Sequence, residues 1–519
     1  MNKMFSRSQG MSREYCCTIV RVGDIEPIQG SDFLGKTLVD GVQIVVRKDE
    51  VSKGDIMFYA SNETELCEGF LSVNNLFSRE FYDKNANSAS VGEMIAKRDA
   101  LKAKLESGSS ASDAVELAKV EDAIKSSCGF FGRYGRVRMI NLRKCPSFGF
   151  LFTPESLYKY RPELKSVDLA KWVDDPEADH DFDTVCGELF VKAYIPRPSN
   201  PSKGSGGRES RRQKKVRKTL IIPNEFFFHY DTSMLVKNMH RFNPDTEVDI
   251  STKMHGTSLI LGNLKVKAPL GTDTGVGFWD KFTGAVGRML YRTFGIHKVV
   301  YRYVCSSRTV IRDVDLTGRK TNSFYKADIW SEYEKHLEGW IPEGMTIYGE
   351  IVGYLTGSNI MIQKDYDYGC KEGTNKLMIY RITTSDKDGK QEWEIEDVVK
   401  FSEALRAKLP DVILPFPLLY HGTLKDLYPD IPVDDNWRDA VLERLKTEDR
   451  FGMERNEPMC SKKVPREGIV MRICHDPLKE AFKLKCAKFL QKEAESIDKG
   501  LVDMEMQDKY VEGSETVES

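Results

Sequence analysis

The sequence predicts an α+β protein with two β-rich regions, the second and larger one mixing helices with antiparallel strands. Three observations predict this. Short runs of β-branched and aromatic residues fill 12–75 and 134–152, with Gly and Asp at their joints. From Thr219 to about Ala494, strand-like and helix-like segments alternate. Between the two regions, residues 201–218 form a Gly/Ser/Lys/Arg stretch that reads as a linker or exposed loop. A chain of 519 residues, at roughly 100–200 residues per domain, is expected to form two or three domains.

In the first region, REYCCTIVRV, KTLVDGVQIVVRK and GDIMFYA read as strands, and YGRVRMINLRKCPSFGFLF continues in the same style. Residues 90–106 and 112–126 are instead rich in Ala, Lys, Glu and Leu and are separated by an SGSS turn. They predict a helical hairpin inserted into the small β-domain. The dispersed strands suggest a compact barrel of the OB type, a fold that commonly contacts nucleic acid. A structural β-domain without a ligand is the alternative. In the second region TEVDISTK, MTIYGEIVG, LMIYRITT, EGIVMRI and AFKLK predict strands. Residues 394–408 and a segment near 278–298 predict helices.

Composition bounds the class. Hydrophobic residues make up 40% and charged residues 30%, enough apolar material to exclude a wholly disordered chain. No window approaches the length of apolar sequence that a membrane helix needs. The opening residues contain no apolar stretch of the secretory type. Eleven cysteines are scattered without a CxxC pair, which argues against a zinc ribbon or a disulfide framework. The expectation is a soluble cytoplasmic protein, with Cys16 and Cys17 as buried or edge-strand thiols. The net charge of -2 conceals two opposed segments. Residues 201–218 carry eight basic groups and one acidic group, and residues 493–519 carry nine acidic and two basic. The basic segment, Lys214 and Lys215 included, reads as a solvated run or as a strap for a phosphate backbone. The acidic segment reads as a tail.

Four segments carry candidate chemistry. Lys253-Met254-His255-Gly256 ends a strand. A lysine nucleophile needs an uncharged amine, and partial burial beside other cations would depress its pKa. Gly256 would let the backbone approach a phosphate. Glu350, in TIYGEIVG, is a strand-borne carboxylate that could hold a ribose hydroxyl or a hydrated metal, or simply lie at a sheet edge. Glu467, in REGIV, offers the same choice. In FKLK, Lys483 and Lys485 share one strand face, where two ammoniums repel unless an anion or solvent separates them. Each segment alone is weak. In this order, a lysine, two carboxylates and a paired-lysine strand supply a nucleotidyl-transfer site.

Those segments resemble motifs I, III, IV and V of the covalent nucleotidyltransferases, which comprise ATP-dependent ligases and messenger-RNA capping enzymes. KMHGTSLI resembles the KxHGT element of phage nick-sealing RNA ligases, whereas DNA ligases and capping enzymes usually show KxDG. MIQKDYDYG followed by LMIYRITT is similar to the segment after motif III in that class. Tyr380 falls where the family places an aromatic that stacks on adenine. CSSRTV, with Arg308, resembles the motif Ia element that contacts the nucleotide and the nick. IEPIQGSD, GVQIVVRKDEVSKGDIMFYA and RVRMINLRKCPSFGFLFTPESL resemble the OB module fused to bacterial RNA ligases of this class. The resemblance covers roughly 15–80, 130–158 and 220–492. It leaves out the helical hairpin, the 159–219 stretch and the tail.

The resemblance implies an OB-type barrel over 11–158 with its insert at about 90–126, a connector over 159–219, an ATP-grasp-like nucleotidyltransferase domain over 220–494 and an acidic tail over 495–519. It implies an ATP-dependent RNA ligase in RNA nick repair, in a bacterial cell or a phage-infected host. Lys253 would attack the α-phosphate of ATP and form a lysyl-adenylate. AMP would pass to an RNA 5′-phosphate, and a 3′-hydroxyl would then displace it. Such phosphoryl transfers depend on positioning and charge neutralisation. Lys483 and Lys485 would neutralise the α-phosphate and help keep Lys253 unprotonated. Glu350 and Glu467 would hold ribose and hydrated Mg²⁺ or Mn²⁺. Tyr380 would stack on adenine, and Thr252, His255, Gly256 and Arg308 would line the nucleotide. Arg308, Ser258, Lys214 and Lys215 would contact RNA with nicked or broken ends, or an RNA/DNA hybrid, and the hairpin would meet a partner or substrate. Thr252 stands where relatives often have Glu, Ser258 where the phage enzymes have Asn, and Ser307 where they have a basic residue. A ligase acting on DNA, a capping enzyme, and a catalytically idle RNA-binding or structural protein with this fold are the competing readings.

Overall fold

The computed structural model describes residues 4–8, 11, 13–39, 41–89, 91–106, 111–175, 177–195, 221–222, 226–227, 232–270, 286–287, 289–291, 293–308, 311–312, 329–386, 389–447, 449–453, 455–476 and 479–498. The chain divides into two compact units. Met1–Tyr194 with Gln491–Glu495 make one, and Ile195–Leu490 with Ser496–Ser519 make the other.

The first unit is built of short strands in separate sheets. Cys17–Arg21 lies between Ile56–Ala60 and Asp181–Phe182, and Phe150–Phe152 completes that four-stranded sheet. Glu26–Pro27, Leu34–Val39 and Val42–Arg47 form an antiparallel three-stranded sheet beside it in sequence. Aromatic residues dominate the core, where Phe58, Phe70 and Phe182 are fully buried. Cys16 and Cys17 are fully buried too, so these thiols are core groups. Among the described strands no sheet closes into the barrel that the sequence leads one to expect. Strands as short as Arg136–Val137 and Cys145–Ser147 cannot carry the continuous staggered ladder that closure requires. The expected hairpin is present as helices Gly92–Glu106 and Ala111–Ser126. Val91, Ile95 and Ile124 form its small core, and Lys97–Glu116 and Lys102–Glu121 ion pairs join the two helices.

The second unit rests on two larger sheets. The first is five-stranded, in the order Ser233–Met234, Ala481–Lys485, Gly468–Ile473, Glu247–Lys253 and Leu418–Thr423. Only its first pairing is parallel. The second is antiparallel and six-stranded, in the order Ile311–Arg312, Lys298–Ser306, Thr257–Ala268, Met345–Gly353, Asn375–Asp386 and Gly389–Glu392.

Period-two alternation divides each sheet into two faces. In the five-stranded sheet Val248, Ile250, Ile469, Met471, Phe482 and Leu484 join the apolar core with Trp437, Val441 and Leu445 of helix Trp437–Thr447. The opposite face carries Asp249, Lys253, Arg472, Lys483 and Lys485. In the six-stranded sheet Leu259, Leu261, Ile347, Ile351, Leu377 and Ile379 pack on helices Ile329–Leu337 and Ile395–Lys408. Tyr348, Glu350 and Val352 alternate to the other face. The polar faces meet at Arg472 and Glu392, where Nη1 and Oε1 lie 3.7 Å apart.

Of the helix expected near 278–298, residues 271–285 lie outside the described residues, helical turns occur at 286–287, 289–291 and 293–294, and Lys298 already opens a strand. The basic stretch 201–218, including Lys214 and Lys215, lies outside the described residues. The acidic segment begins as the end of helix Ala487–Asp498, and residues 499–519 are likewise outside.

Candidate active site

Strand pairing brings together three of the four motif segments before any side chain is considered. Lys253 pairs with Gly468, and Gly468 pairs with Lys485 on its other side. A glycine therefore separates the two lysines. Its missing side chain is a packing necessity, because a Cβ there would meet the Leu484 carbonyl oxygen at 2.1 Å. Glu467, one residue earlier, is 4% exposed, and its Oε1 sits 2.7 Å from Lys253 Nζ.

The fourth segment arrives from the other sheet. Glu350 Oε1 accepts a hydrogen bond from the Gly256 backbone N–H at 3.0 Å. A Cβ on Gly256 would meet the Ile351 carbonyl oxygen at 2.3 Å. The observed reason for this glycine is thus the close approach of the Met345–Gly353 strand. His255 is held by its neighbours: its N–H donates to Tyr368 Oη, and its ring sits edge-on to Tyr366 and Phe489. His255 Nδ1 is 3.8 Å from Glu467 Oε2.

The electrostatics correct one expectation. Burial pushes the Lys253 ammonium towards neutrality, and Lys485 pushes the same way. Glu467 and Glu350 outweigh both, so the Lys253 pKa is raised, not depressed. Cations surround the lysine, but the Glu467 carboxylate touches it and helps to set the sign of the shift.

The carboxylates suit a hard divalent cation. Glu467 Oε2 is buried and has no hydrogen-bond partner among the described residues. Glu350, carried by the other sheet, is a second oxygen donor whose charge acts on Lys253 in the same direction as that of Glu467. Oxygen-only donors with an unsatisfied buried atom fit Mg²⁺ or Mn²⁺.

The remaining expected residues are distributed unevenly. Lys483 pairs with Val470 and follows the same face as Lys485. Tyr380 is the extra residue of a bulge, since Tyr348 pairs with Arg381 and Gly349 with Ile379. A bulge re-aims the side chain it carries, and Tyr380 is partly buried against the core. Arg308 lies two residues past strand Lys298–Ser306, where the chain leaves that strand before Ile311–Arg312 pairs back on Cys305 and Ser306. Ser258 is 1% exposed, and its carbonyl accepts the Trp330 indole N–H. Its hydroxyl is not at the surface where RNA would meet it. Thr252 is buried and alternates to the face opposite Lys253.

Supporting residues were not assigned roles from the sequence. Gln363 Nε2 donates to the Gly256 carbonyl at 2.8 Å, and Tyr366 Oη donates to the Pro465 carbonyl at 2.8 Å. With Tyr368, they make the QKDYDYG loop a clamp on the lysine motif. The loop's polar and aromatic density was the available signal. Arg466 braces the strand start by donating to Glu457 and to the Phe451 carbonyl.

Residues 246–489 match the RNA ligase family. That stretch opens at the lysine strand and closes beyond Lys485, so it contains both sheets' contributions to the site. The match supports an RNA ligase enzyme as the class of this region. The chain also aligns with structures of a Naegleria gruberi RNA ligase. A variant with AMP and Mn shows 15% identity and a TM-score of 0.47, covering 92% of this chain and 98% of that one. The enzyme with PPi shows 14% identity and a TM-score of 0.47, covering 93% and 99%. At this level the likeness bears on neither the site nor its ligands. No curated protein matches the chain. Among the described residues no helix is long and apolar enough to cross a membrane.

Proposed function

We propose that the protein is an ATP-dependent RNA ligase of the nick-sealing kind, with Lys253 as its nucleophile. The observation that carries this reading is the convergence on Lys253 of Glu350 and Lys485, from two other strands in two sheets, and of Glu467, one residue ahead of strand Gly468–Ile473.

In the first step Lys253 Nζ attacks the α-phosphorus of ATP. The bond from that phosphorus to the bridging oxygen breaks, pyrophosphate leaves, and AMP remains on Nζ. Glu467 Oε1, 2.7 Å away, is within reach of the proton that Nζ must lose. Lys483 and Lys485 offset the negative charge of the phosphates. Glu350 and Glu467 are the residues for a divalent ion, Mg²⁺ or Mn²⁺. Such an ion, when bound, supplies positive charge that weakens the hold of Glu467 on the Lys253 proton. Tyr380 stacks on adenine, and Arg308 contacts the nucleotide and the RNA. AMP then moves to an RNA 5′-phosphate, and a 3′-hydroxyl attacks that phosphate and releases AMP.

The same reading assigns 220–494 to the nucleotidyltransferase domain, 495–519 to a tail and 11–158 to an OB-type module whose sheets stay open. The connector expected over 159–219 narrows to 195–219, since Asp181–Phe182 and Val191–Ala193 pair with strands of the first unit. The reading places the protein in the phage and bacterial RNA-repair class, in the cytoplasm. The helical hairpin is then a partner or substrate contact, and Lys214 and Lys215 belong to an RNA strap. Thr252 and Ser258 enter this site only through the backbone or through a rearrangement that exposes them.

Incubation with ATP labelled at the α-phosphate and a divalent metal, followed by denaturing electrophoresis, tests the reading. The expected result is a labelled full-length band that is absent in Lys253→Ala. Transfer of that label to nicked RNA, with sealing, completes it. Absence of label in protein freed of bound nucleotide rejects it.

A further inference from the structure

The polar face that bears Lys253 continues along the same strand to a second group of side chains. Asp249 lies four residues upstream, about 13 Å away at the usual strand rise of about 3.3 Å per residue. It pairs with His421 on the neighbouring strand Leu418–Thr423 and with Arg472 on the other side. Cys474 follows strand Gly468–Ile473, and its backbone N–H donates to the Glu247 carbonyl. Three adjacent chain segments thus each contribute one group to the same end of the sheet.

The geometry is close. His421 Nδ1 is 2.9 Å from Asp249 Oδ1, and Cys474 Sγ donates to Asp249 Oδ2 at 3.3 Å. The ligating atoms of all three lie within 4.8 Å of one another. A tetrahedral ion bound to N, O and S at about 2.0–2.3 Å sets its ligand atoms roughly 3.3–3.7 Å apart. Small side-chain adjustments span the difference. His421 is also oriented as a metal-binding imidazole usually is. Its far nitrogen, Nε2, lies 3.4 Å from Glu247 Oε1 and 3.8 Å from Glu396 Oε1. A carboxylate on the far nitrogen fixes the ring with its proton there and leaves Nδ1 for the ion.

We propose that Asp249, His421 and Cys474 form a second metal site, distinct from the Glu350/Glu467 centre and suited to zinc-class ions. Sulfur and imidazole donors favour zinc or cobalt over magnesium, which demands an octahedron of oxygens. On loading, two protons leave to solvent, that of the Cys474 thiol and that by which His421 Nδ1 donates to Asp249, and the thiolate and the freed Nδ1 bind the ion. The charges of Asp249 and the thiolate then balance a divalent ion, and water fills the remaining position. Without an ion, the same three groups satisfy each other by hydrogen bonds, so the site needs no metal to persist. Arg472 opposes a cation here, but its guanidinium reaches towards Glu392.

Co²⁺ is the probe, titrated into chelator-stripped full-length protein. A thiolate-to-cobalt absorption band should grow to one equivalent, disappear on adding Zn²⁺ and resist Mg²⁺. Cobalt held by Glu350 and Glu467 has no sulfur ligand and produces no such band, so failure of the nucleotidyl-transfer reading leaves this test intact. Cys474→Ser should abolish the band, and Glu247→Gln should weaken binding about 10–100-fold while keeping it. His421→Ala, at a position 41% exposed, guards against a Cys474 variant that does not fold. No band in the wild type, a band that survives Cys474→Ser, or unchanged affinity in His421→Ala would each overturn the proposal.

Discussion

At the scale of the residue, Lys253 is a nucleophile candidate whose nearest charge keeps it protonated. The prediction from this balance does not need the reaction. In Glu467→Gln the carboxylate charge is gone, while burial and Lys485 still press the ammonium towards neutrality. The Lys253 titration midpoint should therefore fall below that of an exposed lysine. Rates of reductive methylation at Lys253, followed by mass spectrometry across pH, measure it; an unchanged midpoint rejects the assigned role of Glu467. Lys390 presents the opposite balance. Burial lowers its ammonium to about 7, Arg381 adds to the effect and Glu392 opposes it. Its Nζ sits 3.8 Å from the Phe227 ring centroid and 3.3 Å from Tyr348 Oη. Because the folded pKa is below the ordinary value of about 10.4, the unfolded chain binds more protons between the two values. This group therefore makes stability rise with pH across that window. Lys390→Met should remove that rise, so its urea midpoint should exceed the wild type's most at about pH 7 and converge with it towards about pH 10.

At the scale of the element, two glycines decide whether the lysine motif can exist where it does. Gly468→Ala puts a Cβ into the backbone of the Ala481–Lys485 strand, which cannot swing aside as a side chain could. Overpacking of this kind costs about 1–3 kcal/mol. It should also move Lys485 away from Lys253, so adenylylation should fall more than stability alone explains. A urea titration alongside the labelling assay separates the two effects. The strands that carry this site were legible in sequence. TEVDISTK, MTIYGEIVG, LMIYRITT, EGIVMRI and AFKLK are strands, and 394–408 is close to the observed helix Ile395–Lys408. Dense β-branched runs declare themselves locally. What was not legible was pairing. Nothing local says that Gly468 separates two lysines, that a bulge re-aims Tyr380, or that Glu467 touches Lys253. The sign of the Lys253 shift followed from that pairing, and the sequence-based expectation missed it for that reason. Asp249, His421 and Cys474 were equally invisible, being 172 and 225 positions apart along the chain.

At the scale of the whole molecule, the family match and the candidate chemistry both fall in the second unit, over residues 246–489. The first unit has the expected short strands and inserted hairpin, but its sheets stay separate. Strand content is written in local composition, whereas closure depends on register and strand length. Between the two regions lies the basic stretch 201–218, with eight positive groups and one negative, for which an RNA strap is proposed. If it straps an RNA backbone, binding is coupled to counterion release, and log affinity falls linearly with log salt. Each phosphate contact contributes about 0.7 to that slope on a single strand and about 0.9 on a B-form DNA duplex. Replacing all eight basic residues with Gln or Ser should flatten the slope by several such increments, leaving Lys253 adenylylation unchanged. Fluorescence anisotropy with nicked RNA over a salt series measures the slope. An unchanged slope would make the stretch a tether only, with the phosphate contacts carried by other residues.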